Sequence, residues 1–238
     1  MAQIANAIDW LDPAVNRRVI YRCRTRGKAL LARYRRALRS GPETERAALR
    51  VILGSHAFKV YAAWEANRKL PPWRRHCDIH LLKAAKRIHW NQPLTDPERL
   101  IIKGKSSRKV RTLFDFDLTR RAAVIGLAVI LKAHVSVRPF QYDLKGPAKA
   151  IEAVKHYLSE GYLYVHHMDI RDHFRSFDAK KLSTELPFST RMVGHWVMAD
   201  AIPVGKVVGA FGRALPPIMG DLHAHAHLGC PKGSALSS

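Results

Sequence analysis

From Arg17 to Arg39 the chain carries ten Lys and Arg residues and no acid, interleaved with Val19, Ile20, Tyr21, Leu30, Leu31, Tyr34 and Leu38. Apolar residues at this spacing predict a basic amphipathic helix, or two helices broken near Gly27. Its apolar stripe requires cover from other elements. Its charged face is left for solvent or an anionic partner.

The bias extends over the whole chain. Lys and Arg number 41 against 19 Asp and Glu in 238 residues, a formal charge of +22. Solubility needs far less, and phosphate neutralisation is the usual reason for such an excess, so nucleic acid or another polyanion is the expected partner. An anionic membrane surface is the rival polyanion. A spanning helix is not expected, because no apolar run reaches about 18 residues. The longest, Ala122 to Leu131, contains Gly126 and lies between Arg120-Arg121 and Lys132. Met1 is not followed by the basic-then-apolar order of a signal peptide. Cys23, Cys77 and Cys230 are odd in number, far apart and without a C-x-x-C pair. That disfavours a disulfide framework or zinc ribbon, and a reducing, cytoplasmic compartment is expected.

Along the chain, Ser40-Gly41-Pro42-Glu43 reads as a capped helix start, with the helix running through Val51, Ile52, Phe58, Tyr61 and Trp64 until Pro71-Pro72. A second basic patch spans Trp73-Arg74-Arg75-His76 and Lys83, Lys86 and Arg87. At about Glu98 the texture changes. Leu100-Ile101-Ile102 and Val110 to Phe114 predict a β-hairpin around Gly104-Lys105-Ser106-Ser107. The apolar helix around Ala122 to Ala133 follows. Gly146-Pro147 opens a helix with Ile151, Val154 and Leu158 on one face, ended by Gly161. Tyr162 to Ile170 is expected as a strand, and Asp178 as the cap of a helix through Lys180, Lys181 and Leu182.

Three motifs carry a family resemblance. Lys109-Val110-Arg111-Thr112-Leu113-Phe114-Asp115-Phe116 resembles the fingers strand K-x-R-x-L-x-D-F of reverse transcriptases of the group II intron and retron type, with Thr112 where Pro is usual. Met168-Asp169-Ile170-Arg171-Asp172-His173-Phe174 resembles their metal-binding palm strand. Gly229-Cys230-Pro231-Lys232-Gly233-Ser234-Ala235-Leu236-Ser237-Ser238 resembles their turn G-x-P-Q-G-x-x-x-S-P, with Lys232 in place of Gln. The order matches, and the likeness covers roughly Glu98 to Ser238.

The resemblance implies an α+β, right-hand polymerase fold. It divides the chain into a basic, mostly helical N-terminal extension (1–97), a fingers-like region (98–160) and a partial palm (161–238). It also implies RNA-directed DNA polymerase chemistry: dNTP addition to a primer on an RNA template, with Mg²⁺ or Mn²⁺. Such transfer uses two divalent ions about 4 Å apart, held by hard oxygen ligands. By match, Asp169 is the catalytic carboxylate and a metal ligand, with the Ile170 carbonyl as a second. Arg111, with Lys103 or Lys105 across the hairpin, grips triphosphate. Phe174 selects the sugar, and Lys232 and Gly233 line the nucleotide and template side.

The family's aromatic-x-Asp-Asp segment does not occur in these residues. The expected behaviour is therefore template–primer binding without extension, with self-association through uncovered sheet edge. In a non-enzymatic alternative, the chain binds RNA through its basic helices, with Arg17, Arg18, Arg22, Arg24, Arg33, Arg35 and Arg36 as the contacts. A third reading places a metallohydrolase site on Asp221, His223, His225 and His227, with Cys230 nearby, and a weaker cluster at His76-Cys77-x-x-His80.

Overall fold

The computed structural model describes residues 12–106, 109–135, 146–164, 166 and 177–209. The fold is α+β and mostly helical, with eight α-helices and one three-stranded sheet among the described residues. Two compact units are present: Met1–His134 with Phe174–Ser238, and Val135–His173. In the first unit the N-terminal helices and the apolar helix after the hairpin share one core.

Helix α1 (Pro13–Ala37) begins where the Asp12 carboxylate accepts from the Ala14 N–H and Pro13 fills the first turn. It buries Ile20, Gly27, Leu31, Tyr34 and Ala37. The helix does not break at Gly27. A Cβ there would stand 2.6 Å from the Tyr61 Cβ, so the missing side chain allows a close helix crossing. Helix α2 (Pro42–Gly54) follows. Its N-cap is Gly41, at φ +110°, rather than Ser40, whose hydroxyl instead donates to the Arg36 carbonyl.

The single helix expected through Trp64 is two. The Ser55 hydroxyl accepts from the Phe58 N–H and starts α3 (His56–Arg68). A short 3₁₀ turn (Pro72–Arg74) and α4 (Asp78–Arg87) come next. The apolar run is α5 (Leu118–His134), and it packs on α3, where Gly126 approaches Ala62. Tyr34, Ile52, Phe58, Ile88, Leu127, Ile130 and Trp196 belong to the resulting core.

The hairpin forms as expected from strands β1 (Glu98–Ser106) and β2 (Lys109–Asp115), antiparallel with a register shift between Gly104 and Ser106. Strand β3 (Val204–Gly209) lies parallel to β1 on its other edge, giving the order β2-β1-β3. Leu100, Phe114, Phe116, Ala199 and Ile202 form a second, smaller core on the sheet.

Helix α6 (Pro147–Ser159) lies in the second unit, preceded by Gly146 and followed by Gly161, both at positive φ. Residues 162–164, expected to begin a strand, form none, and Tyr162, Leu163 and Tyr164 are exposed. In the first unit, α7 (Ala179–Glu185) is capped by Asp178, as read from the sequence, and α8 (Thr190–Trp196) by Ser189. No helix among the described residues is long and apolar enough to cross a membrane, in agreement with the expected lack of a span.

Candidate nucleic-acid interface

Burying one stripe of α1 leaves its charge outside. Arg17, Arg18, Arg22, Arg33, Arg35 and Arg36 are all exposed. From Arg18 to Arg36 these side chains follow the helix for roughly 27 Å at 1.5 Å per residue. Arg24 departs from this set. Its guanidinium lies 3.4 Å from the centroid of the Trp64 ring, stacked against α3 as a cation–π contact, and is only half exposed. That one arginine of the run turns inward is invisible in its local pattern, because its partner lies forty residues away.

In the hairpin, Lys103 and Arg111 are directly opposed in the β1–β2 register, and Lys105 falls at the register shift. These three positions are described by their backbone. Asp169, Ile170, Phe174, Lys232 and Gly233 lie outside the described residues, as do Asp221, His223, His225, His227 and Cys230. The patch at 76–80 brings the Cys77 Sγ to 3.2 Å from His80 Nδ1 and sets the His76 and His80 rings edge to face. Among the described residues, no three His, Cys, Asp or Glu side chains gather as a metal would require.

The open end of the hairpin, away from its turn, carries an ionic site that sequence reasoning missed. Asp115, from the K-x-R-x-L-x-D-F motif, receives three arginines. Arg74 Nη2 of the 3₁₀ turn lies at 2.9 Å, Arg121 Nη2 of α5 at 3.3 Å, and Arg99, its register partner on β1, also bonds it. Burial raises the Asp115 carboxyl, but the bonds from Arg99 and Arg74 outweigh it and hold it below the usual range. Around this knot opens a cleft of about 600 Å³, lined also by His76, His80, Lys83, Arg87 and Asp117.

Behind the cleft the framework is fixed by a buried ion pair. Arg120 Nε donates to Glu98 Oε1 at 3.0 Å, and its other nitrogens reach the Leu94 and His195 carbonyls. Glu98 Oε2 accepts from the Asp117 N–H. Burial pushes the Glu98 carboxyl up to about 7, aided by the Asp117 charge, with the Asp117 and Arg120 bonds opposing. The turn bearing Arg74 is held by Asn67, which donates to the His76 carbonyl and accepts from the His76 N–H.

Comparison with protein-family models, with curated proteins and with solved structures finds no match for this chain.

Proposed function

We propose that this chain is a nucleic-acid-binding, reverse transcriptase-like protein. In this reading it comprises fingers and the beginning of a palm in the right-hand arrangement, engaging an RNA template, a primer and a dNTP with Mg²⁺ or Mn²⁺. The observation that carries the reading is the opposition of Lys103 and Arg111 across β1 and β2. Two cations on adjacent strands of a hairpin suit a triphosphate, and the resemblance assigns them that role. Asp169 and the Ile170 carbonyl would hold metal, Phe174 would select deoxyribose, and Lys232 with Gly233 would lie along the templating pair. The metal would supply charge neutralisation at the triphosphate.

Photo-crosslinking of a base-modified dNTP to the protein with a recessed RNA–DNA template–primer tests this. The complementary dNTP should crosslink, and Arg111→Ala and Lys103→Ala should each reduce the yield. Crosslinking indifferent to complementarity and to both substitutions would remove the polymerase reading.

The exposed row on α1 favours a second reading, RNA binding without nucleotide chemistry. RNA affinity that survives Asp169→Ala and Arg111→Ala but collapses when Arg18, Arg22, Arg33 and Arg36 become Ala would select it. The cytoplasmic compartment belongs to the proposal on either reading.

A further inference from the structure

We infer that the cleft around Asp115 holds a backbone phosphate of a single-stranded nucleic acid, with the neighbouring base stacked on Trp73. This rests on nucleic acid being the partner, and adds a site apart from α1 and from the residues to which the resemblance gives a role.

The charge balance comes first. Three guanidinium groups meet one carboxylate at Asp115, leaving two positive charges in excess at the knot. Of the other acids on the cleft wall, Glu98 is matched by Arg120, and Asp117 Oδ1 accepts the Arg120 N–H at the start of α5. Lys83 and Arg87 reach the cleft from α4, where Arg87 is paired with Asp96 and adds no net charge.

Donor capacity is the second ground. A guanidinium offers five N–H donors. Arg74 and Arg99 each meet Asp115 through Nη2, and their side chains remain 47% and 49% exposed while lining the cleft. Asp115 thus orients both forks for an anion with tetrahedral oxygens. The support is rigid, since Asn67 clamps the loop from behind, Arg75 Nε bonds the Leu70 carbonyl, and Pro71-Pro72 restrict the backbone. Little ordering remains to be done on binding.

Trp73 decides between a strand and a lone ion. It precedes Arg74 in the same three-residue turn and is 83% exposed. An indole left in water one residue before a cleft-lining arginine matches the stacking platform of single-strand binders, which pair an aromatic face with cations along the backbone. The cleft, at about 600 Å³ and open to solvent, has room for a nucleotide unit.

The test is fluorescence anisotropy of a labelled oligouridylate of about twelve nucleotides, spanning one single-strand site. Trp73→Ala and Arg74→Ala should each weaken binding about tenfold, and Trp73→Phe should restore most of it. Arg50→Ala, which removes one exposed charge from α2, should change it no more than about twofold. Trp73 is so exposed that its substitution leaves the fold intact, which a thermal melt verifies. Equal losses for Arg74→Ala and Arg50→Ala with none for Trp73→Ala would make Asp115 a purely structural ion-pair knot. Displacement of the oligonucleotide by equimolar dTTP would assign the cleft to a free triphosphate and overturn the strand. Wild-type protein that fails to bind the oligonucleotide would instead defeat the nucleic-acid reading itself.

Discussion

Glu98 and Arg120 form a 3.0 Å ion pair in which each side chain is 1% exposed. It joins the first residue of β1 to the start of α5, and so fixes the hairpin to the helical core. Removing one partner strands the other charge in a medium that cannot solvate it. Glu98→Ala should cost about 3–5 kcal/mol of unfolding free energy by denaturant titration. A loss under about 1 kcal/mol would show that water reaches Arg120.

Two of the cleft carboxylates should give opposite pH responses. Asp115 has a folded pKa below its ordinary 3.8, so its contribution is complete above that value and is lost as pH falls through the lower one. Glu98 is raised from 4.5 to about 7, so its contribution is present below 4.5 and is lost as pH rises through 7. Asp115→Asn should therefore flatten the acid limb of the stability profile, and Glu98→Gln should flatten the decline between pH 4.5 and 7. Unchanged slopes in both variants would contradict the assignments.

Gly27→Ala should destabilise by about 1–3 kcal/mol, because its Cβ would meet Tyr61 at 2.6 Å. Gly54→Ala makes the control, with open space around its Cβ. Better helix propensity should leave that variant neutral or about 0.5–1 kcal/mol more stable. Thermal melts of the pair decide it, and equal effects would place α1 farther from α3.

Arg24 and Arg22 should separate stability from binding. Arg24→Ala removes the stacking on Trp64 and should cost about 0.5–2 kcal/mol without changing the salt dependence of RNA binding. Arg22→Ala should leave the melt within about 0.5 kcal/mol and reduce the salt slope by roughly 0.7–0.9. The reverse pattern would put Arg24 on the interface.

Local chemistry made much of this fold legible before the structure. The β-branched and apolar runs Leu100 to Ile102 and Val110 to Phe114 around a Gly-Ser turn define a hairpin without reference to anything distant. Gly146-Pro147, Gly161 and Asp178 act as helix signals within a few residues. What stayed hidden depends on partners far along the chain. Gly27 resembles a breaker until Tyr61 is placed beside it. Ser55 sits inside an unbroken apolar rhythm, so its role as a cap is masked. The parallel pairing of β3 with β1 joins segments about a hundred residues apart. The Asp115 site gathers Arg74, Arg99 and Arg121 from three elements, and none of their spacings suggests a common point.

The most direct test of the proposed function is binding of a recessed RNA–DNA template–primer at about 0.15 M salt, followed by anisotropy with and without a blunt duplex competitor. A dissociation constant well below about 10⁻⁶ M is predicted, with preference for the recessed substrate and weakening by Arg111→Ala. Binding confined to the nonspecific range of about 10⁻⁴–10⁻⁶ M, indifferent to the recessed end and to Arg111, would contradict it.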